Sequence, residues 1–400
     1  MTASRHRRPQ PAETGAAEDR GESPVPLSRL TTMGVGGAPR HLIVPSDRQA
    51  LVRRMRALWE RDEPWLLLGG GSNTVAADDG FDGTVVCVAT RGIERLPAEG
   101  ARPGTVRLRV EAGEVWDDLV VRAVSEGWAG IEALSGIPGR VGAAPVQNIG
   151  AYGQELAAVL RSIDFLDRET GETRRIEAEE LGFGYRTSAI KRGLAGVVVA
   201  IELELDATDA LSTPVAYEQL AAALAVPLGT RVPLAAFRHA VLGLRAAKGM
   251  LLDPSDPDTR SAGSFFTNPI VDENAARRLL PVDAPRWPLS LDSPDVVVPL
   301  GAPEAAGPVT QPRPAPAFDG AVAVKLSAAW LIERSGIRRG FRLPGSRAAI
   351  SGKHTLAITN TGGASATEVM QLAAFVRTRV QAEFGITLHP EPVLVGLAFD

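Results

Sequence analysis

Cysteine is almost absent from this sequence, which has a single one, Cys87, among 400 residues. One cysteine excludes an internal disulfide framework and a cysteine-based metal site, and it fits a reducing compartment. No apolar run reaches the roughly eighteen residues that predict a membrane span, and the N-terminus lacks the hydrophobic segment of a signal peptide. We therefore expect a cytoplasmic protein with no membrane insertion and no metal site.

Excess charge is also missing. The chain has 43 Lys+Arg against 47 Asp+Glu, a formal net charge of −4, so no overall basic field favours nucleic acid or an anionic membrane surface. Its 44% hydrophobic content is sufficient for real cores, and the length suggests two or three domains. Any phosphate group that the protein binds must therefore be held by local geometry.

Glycine is abundant in residues 130–155, GIEALSGIPGRVGAAPVQNIGAYGQE. Glycine and proline at this density exclude an ordinary helix, and the segment far exceeds the roughly two to six residues of a usual connection. Glycine lets successive N–H groups turn inward to form an anion-binding nest. The segment therefore predicts a phosphate site, in which Ser135, Gln147 and Asn148 are neutral partners for a ring system or a pyrophosphate; a structural turn between strands is the alternative.

A second glycine segment, GGGSN at residues 69–73, directly follows the predicted strand WLLL at 65–68. Before it, a βαβ pattern has HLIVP at 41–45 as a strand and a helix that opens at Ser46, with Gln49 as its capping-box partner. Glycines at the carboxyl end of a strand suit backbone contact with phosphate. The spacing is not G-x-G-x-x-G, which disfavours the usual dinucleotide-binding fold.

Predicted strands dominate residues 84–205, with one helix near Trp116 to Ser125, and predicted helices follow, among them KLSAAWLIERSG at 325–336 and one that starts at Ser365. This order predicts an α+β fold. Residues 1–25 have almost no large apolar side chains and predict a disordered tail, while the proline-rich residues at about 281–318 predict a solvated insertion.

Six motifs resemble those of the UDP-N-acetylenolpyruvoylglucosamine reductase family in order and spacing. They are GGGSN at 69–73, IPGRVGAAPVQNIGAYG at 137–153, FGYR at 183–186, GSFFTNP at 263–269, KLSAAWLIE at 325–333 and PEPVLVG at 390–396. The resemblance implies an FAD-binding domain of the vanillyl-alcohol-oxidase type in two α+β lobes, at residues 26–90 and 91–234. It also implies a substrate-binding domain at 235–385, with a C-terminal strand at 386–400 that carries Glu391.

The resemblance further implies that NADPH reduces FAD, and that the reduced flavin passes hydride to the enolpyruvyl double bond of a UDP-sugar. Arg186 matches the arginine of the family's active site, Ser264 the serine that delivers a proton to the α-carbon, and Glu391 the glutamate at the same centre. Hydride addition leaves negative charge on the α-carbon and its carboxylate, which demands a cation and a proton donor.

Substrate contacts are implied in the same way. Tyr217 matches the tyrosine with which one subclass of the family closes on the substrate diphosphate, Lys248 and Asn268 match further contacts, and Tyr185 is expected near the nicotinamide or enolpyruvyl group. We expect a monomer that binds FAD non-covalently. The cofactor-binding residues implied are Gly69, Gly70, Gly71, Ser72, Asn73, Ser135, Gly136, Ile137, Pro138, Gly139, Gly142, Gln147, Asn148, Gly150, Ala151 and Tyr152.

The sequence departs from the family pattern at Val393, where a basic residue is frequent, and in its longer insertion. His354 in SGKHT is interpreted as a structural or surface residue. Two other functions stay open at this point. A flavin oxidase of the same fold would need a base near the flavin and no serine donor, and a non-catalytic protein that binds nucleotide sugars would have no need of Arg186, Ser264 and Glu391 together.

Overall fold

The computed structural model describes residues 25–61, 63–97, 99–288, 309–310 and 323–399. The predicted tail, except its last residue, and most of the predicted insertion lie outside the described residues. Within the described residues the protein mixes helices and strands, and the prediction of an α+β fold is confirmed.

The N-terminal lobe is a small parallel sheet with one helix. The predicted helix is present, but its N-cap is Asp47 rather than Ser46, because the Asp47 carboxylate accepts the Ala50 N–H at 2.8 Å. Three of the strands form a sheet in the order β1-β4-β2. The elements are β1 (Pro39–Ile43), α1 (Arg48–Glu60), β2 (Trp65–Leu68), β3 (Thr74–Ala76) and β4 (Phe81–Cys87).

The second lobe contains a six-stranded antiparallel sheet in the order β11-β10-β12-β6-β5, with β7 paired to β12. Its elements are β5 (Ile93–Arg95), β6 (Thr105–Glu111), α2 (Trp116–Ser125), β7 (Trp128–Ala129), β8 (Gly150–Ala151), β9 (Gln154–Glu155), β10 (Leu160–Asp167), β11 (Thr173–Glu177) and β12 (Gly196–Ala207). Strand β12 is buried on both faces: Ile201 and Leu203 lie in the core around Trp116, while Val197 and Val199 pack against α1. The two lobes therefore share one layer of packed side chains.

Two helices, α3 (Glu218–Leu224) and α4 (Leu234–Ala247), follow the second lobe. The apolar face of α4, with Phe237 and Val241, packs against α3 and against Ala133 at the start of the long glycine segment. An ion pair between Arg238 and Asp117 of α2, at 2.7 Å, joins the same elements. Helices α3 and α4 therefore pack against the long glycine segment and support it.

The C-terminal part surrounds the long helix α7 (Ala366–Phe384). Its capping box is formed by Ser365 and Glu368, as predicted. The predicted helix over 325–336 consists of two elements, because Lys325 and Leu326 belong to a strand and the helix begins after Ser327. The elements are β13 (Ile270–Asp272), α5 (Glu273–Leu279), β14 (Arg286–Pro288), β15 (Val309–Thr310), β16 (Ala323–Leu326), α6 (Ala328–Arg334), β17 (Ala348–Ile350), β18 (Ile358–Asn360), α7 (Ala366–Phe384) and β19 (Val393–Val395).

The end of the chain returns to the N-terminal lobe. Strand β19 pairs in parallel with β3, and Asp78 of that lobe accepts the N–H groups of Ala366 and Thr367 at the start of α7. This pairing brings Glu391, two residues before β19, beside the first glycine segment. The predicted domain boundaries stay predictions. Among the helices that the structure describes, none is long and apolar enough to cross a membrane.

Candidate active site

The two glycine segments predicted to bind the cofactor touch one another. A Cβ added to Gly70 would lie 2.6 Å from the Cα of Gly139, so only a residue without a side chain fits there. The Ser72 hydroxyl donates to the Pro138 carbonyl at 2.9 Å and fixes this contact. The two segments, far apart in the sequence, therefore form adjoining backbone walls.

The first segment has free donors. The backbone N–H groups of Gly69, Gly70, Gly71 and Ser72 donate no hydrogen bond to any group within the described residues. The Gly71 carbonyl accepts the N–H of Thr32 at 3.1 Å, so the loop that contains Thr32 packs against the carbonyl of this segment. Unpartnered amides on an ordered loop are the donors that a pyrophosphate needs. This part of the chain therefore fits the diphosphate of FAD.

The second segment is held by surrounding acids and amides. Asp117 of α2 accepts the Gly136 N–H at 2.6 Å. Asn148 is buried with a backbone φ of 45°, and its side-chain amide donates to Glu155 at 2.8 Å. In this structure Asn148 therefore stabilises the segment itself, a role that the composition of the segment did not indicate.

Asn73 joins three parts of the site. Its amide donates to the Gln147 side chain at 3.2 Å and to the Glu391 carbonyl at 3.3 Å. Its own carbonyl accepts the N–H of Val393 at 2.9 Å. Both glycine segments and the end of the chain therefore meet at one side chain, 318 positions from its most distant partner in the sequence.

Arg186 and Glu391 face each other, with Arg186 Nε 3.6 Å from Glu391 Oε1. Arg186 has a positive φ of 54°, a conformation that costs free energy in a residue with a side chain and is common at functional sites. Its guanidinium also donates to the Gly150 carbonyl at 2.9 Å and to that of Asn148 at 3.4 Å. The guanidinium is therefore fixed between the long glycine segment and Glu391.

Burial raises the pKa of Glu391, and the charges of Arg186 and Lys191 oppose that shift. Lys191 donates to the Arg186 carbonyl at 2.9 Å, and burial lowers the pKa of its ammonium. Lys191 lies five residues after Arg186 in FGYRTSAIK, where no motif marks it as part of the site. Glu391 is thus a carboxylate that is costly to ionise, beside two cations.

Ser264 is connected to this pair through a backbone hydrogen bond of the residue that follows it. The N–H of Glu391 donates at 2.9 Å to the carbonyl of Phe265, the residue after Ser264. The Ser264 hydroxyl lies 3.5 Å from Nε2 of His354. His354 is predicted from the sequence to be a structural or surface residue, and no spacing or motif indicates its contact with the serine.

Tyr185 and Asn268 form a further contact between the lobes and the C-terminal part. The Asn268 amide donates to the Tyr185 hydroxyl at 3.5 Å, and the Asn268 carbonyl oxygen accepts the N–H of Ala328 at the start of α6. Lys325 Nζ lies 4.9 Å from the centre of the Tyr185 ring. The two predicted substrate contacts are therefore together, with an ammonium group that sequence reasoning missed.

Tyr217 and Lys248 lie together at another place, around Tyr152 of the long glycine segment. The rings of Tyr152 and Tyr217 are 5.6 Å apart, and Lys248 Nζ lies 5.6 Å from the Tyr152 ring. Lys248 also donates to the Gln219 side chain at 3.1 Å. Burial lowers the pKa of Lys248, and the charge of Arg245 adds to the shift. Within the described residues, no group of three or more His, Cys, Asp or Glu side chains could hold a metal ion.

Comparison with known proteins gives two family matches. Residues 39–177 match the family described as FAD binding domain, and residues 254–395 match the family described as UDP-N-acetylenolpyruvoylglucosamine reductase, C-terminal domain. Curated relatives bear the same reductase name. The relative from Leifsonia xyli subsp. xyli is 61% identical and covers 94% of this chain and 99% of its own length, and that from Salinispora arenicola is 47% identical and covers 93% and 95%.

A solved structure agrees with these matches. The chain is similar to the crystal structure of UDP-N-acetylenolpyruvylglucosamine reductase from Thermus caldophilus, with a TM-score of 0.57 and 25% sequence identity. The similarity covers 93% of this chain and 97% of that one. It therefore extends over both lobes and the C-terminal part.

Proposed function

We propose roles for individual side chains in the reaction of this protein. The premise is that the chain belongs to the UDP-N-acetylenolpyruvoylglucosamine reductase family. The enzyme is an FAD-dependent oxidoreductase that reduces UDP-N-acetylglucosamine enolpyruvate to UDP-N-acetylmuramate, a precursor of peptidoglycan, with NADPH as the hydride donor. FAD, when bound, takes hydride from NADPH and supplies it to the enolpyruvyl group.

The cofactor is held by the two glycine segments, at residues 69–73 and 135–152. The free amides of the first segment bind the pyrophosphate, and the second segment, supported by α2 and α4, borders the rest of the cofactor. The binding is non-covalent. In support, burial raises the pKa of the Cys87 thiol, which keeps it protonated, and the first segment ends in Asn73 rather than in a nucleophile.

Arg186 binds the substrate carboxylate. Hydride addition to the methylene carbon leaves an enolate, whose charge is shared between the α-carbon and the carboxylate, and a fixed guanidinium stabilises that charge in bidentate fashion. The positive φ of Arg186 and its hydrogen bonds to two carbonyls orient the guanidinium before the substrate binds. Little reorganisation is then needed during the reaction.

Ser264 delivers the proton to the α-carbon, and Glu391 acts at the same centre. A serine hydroxyl is a weak acid, so it protonates only a strong base such as this enolate. Glu391, partly buried and opposite Arg186, holds the intermediate or polarises the enol ether. The observation that carries this assignment is the junction at Asn73, Gln147 and Glu391, which joins both cofactor segments to the catalytic carboxylate's segment.

The UDP part of the substrate is bound by Tyr217 and Lys248, and Tyr185 and Asn268 bind nearer the reacting group. A lysine ammonium is a point charge suited to a diphosphate. The grouping of Tyr217 and Lys248 around Tyr152 supports this, because Tyr152 belongs to a cofactor segment. We also propose that the enzyme is a cytoplasmic monomer, which light scattering and cell fractionation would test.

An anaerobic titration tests the function. The protein loaded with FAD should lose its flavin absorbance on addition of NADPH and regain it on addition of UDP-N-acetylglucosamine enolpyruvate. Failure of NADPH to bleach the flavin, or of the enolpyruvyl sugar to restore it, would contradict the proposal. The same titration with an alcohol in place of the enolpyruvyl sugar separates the reductase from a flavin oxidase of related fold.

A further inference from the structure

His354 belongs to a short turn between β17 and β18 that is held firmly. Ser351, which is fully buried, accepts the His354 N–H on its hydroxyl oxygen at 3.2 Å. The next residue, Thr355, donates from its hydroxyl to Glu333 of α6 at 2.5 Å. The backbone on both sides of His354 is therefore fixed, and its imidazole has a defined position.

That position is 3.5 Å from the hydroxyl of Ser264, measured to Nε2. Burial, helped by the charges of Lys248 and Arg339 and opposed by that of Glu333, lowers the pKa of His354 to about 4. The imidazole is therefore neutral at neutral pH, with one nitrogen that donates and one that accepts. A neutral imidazole can lose a proton at one nitrogen while it gains another at the second.

Ser264 needs such a partner. In the proposed reaction its O–H bond breaks as a C–H bond forms at the α-carbon of the substrate, which leaves the electron pair on the serine oxygen. An alkoxide in a site closed by substrate has no direct supply of protons, so a neighbouring donor must restore the hydroxyl.

We propose that His354 returns a proton to Ser264 in every turnover and so acts as a relay between the serine and solvent. The Nε2–H bond breaks as the serine O–H bond re-forms, and Nδ1 takes a proton from solvent, so the imidazole stays neutral. One solvent proton is consumed for each hydride delivered, which is the balance that reduction of a carbon–carbon double bond requires. Exchange with water then returns the proton to Nε2.

The surroundings of His354 provide a source for that proton. A surface cavity of about 360 Å³ is lined by Glu333, Arg338 and Arg339. Two of these residues, Glu333 and Arg339, also act electrostatically on His354. Glu333 also accepts the hydroxyl of Thr355, so the cavity wall is bonded to the residue that follows His354.

In this proposal His354 is a positioning residue, since it acts through Ser264 rather than on the substrate. The proposal rests on the proposed role of Ser264. A histidine that merely stabilised the turn, or that bound the substrate, would also be sensitive to mutation. The experiment must therefore measure coupling to the serine.

The test is a double-mutant cycle with Ser264→Ala, His354→Gln and the double variant, each loaded with FAD. Stopped-flow absorbance measures flavin reduction by NADPH and, separately, flavin reoxidation by the enolpyruvyl sugar. We expect His354→Gln to slow reoxidation by about 10²-fold, which is within the range for proton-transfer catalysis, and to leave reduction unchanged. In the Ser264→Ala background the same substitution should cause no further loss.

Three controls make the result specific. His239→Gln removes a histidine from the exposed face of α4 and should change neither half-reaction. The melting temperature and flavin content of each variant report folding, and added imidazole should partly restore reoxidation in His354→Ala. Independently of activity, ¹⁵N NMR of the imidazole should show it neutral from pH 7 down to about pH 4.

Each failure has its own meaning. If the losses from Ser264→Ala and His354→Gln multiply, or if His354→Gln changes only the affinity for the enolpyruvyl sugar, the relay is wrong while the serine assignment stands. If Ser264→Ala itself leaves reoxidation unchanged, the assignment of the serine fails, and the relay fails with it.

Discussion

The cofactor side and the catalytic side of this site are built in different ways. The proposed cofactor side consists of backbone from two continuous glycine segments, whereas the proposed catalytic side consists of side chains from four distant stretches of the chain, at Arg186, Ser264, His354 and Glu391. A backbone site leaves a strong local trace in composition, because only glycine allows it. A side-chain site leaves single residues that gain meaning when the fold brings them together.

Apart from the loss of Ser264 itself, the largest effect is expected on the catalytic side, from Arg186→Gln. Loss of the fixed guanidinium should slow flavin reoxidation by about 10²–10³-fold, a range typical for removal of one group that stabilises developing negative charge. The rate of flavin reduction by NADPH should change little. Arg186→Lys should give an intermediate rate of reoxidation, because it keeps the positive charge but cannot form the bidentate hydrogen bonds of a guanidinium. Stopped-flow measurement of both half-reactions checks this.

The matched control is Arg278→Gln, which removes an exposed arginine of α5. Its half-reactions should equal those of the unmodified enzyme. Equal slowing of both half-reactions by Arg186→Gln would indicate a general loss of structure and would contradict the specific role.

A smaller effect is expected on the cofactor side, from Gly70→Ala. The new Cβ would meet the backbone of Gly139 at 2.6 Å, and backbone cannot move aside as a flexible side chain can. The two walls must separate, so FAD affinity should fall by at least about tenfold, which corresponds to about 1.4 kcal/mol. Titration of apoprotein with FAD, followed by fluorescence quenching, measures this.

Gly243→Ala is the control for that substitution, since no heavy atom lies within 4 Å of a Cβ added there, in the middle of α4. It should keep full FAD affinity and gain slightly in stability, because alanine favours helix by about 1 kcal/mol over glycine. Equal FAD affinity in Gly70→Ala and Gly243→Ala would show that the glycine contact is not needed for the cofactor.

The smallest effect concerns Glu391 and stability. Its pKa is raised in the folded protein, so its contribution to stability is fully present below its unfolded pKa and is lost as the pH rises through the folded pKa. Glu391→Gln cannot ionise and avoids this loss. The variant should therefore melt higher than the unmodified protein at pH 7, by about 1 °C for a gain of about 1 kcal/mol, since the unfolding entropy of a 400-residue chain is about 0.8 kcal/mol/K.

The advantage of Glu391→Gln should disappear near pH 3, about one unit below the pKa of a glutamate in an unfolded chain, where the side chain is protonated in both states. Differential scanning calorimetry at the two pH values gives the comparison. A variant less stable at pH 7 would mean that the ion pair with Arg186 outweighs the cost of burial.

Much of the fold could be predicted from local patterns. Helix α2 spans the predicted residues, and the capping box at Ser365 and Glu368 marks the start of α7. The predicted starts of two helices are wrong, each for a different reason. Asp47 rather than Ser46 caps α1, since either short polar side chain can do so, and Lys325 joins a strand because β13 and β14 pair with that segment on both sides. Such pairing depends on residues far away in the sequence.

The candidate site shows the same division. The glycine segments were found from composition, and Arg186, Ser264 and Glu391 from a resemblance in motif. The sequence does not mark three further residues of the site, His354, Lys191 and Lys325. Each lies in the site only because the fold places it against a residue of a family motif, namely Ser264, Arg186 and Tyr185. Nothing in the residues around His354 signals that its imidazole reaches Ser264.

The central claim is that the serine acts on the substrate and not on the cofactor, and the half-reactions of Ser264→Ala test it most directly. NADPH should reduce the flavin of this variant at nearly the normal rate, while reoxidation by UDP-N-acetylglucosamine enolpyruvate should be slower by several orders of magnitude. Unchanged reoxidation, or a parallel loss of both half-reactions, would contradict the account.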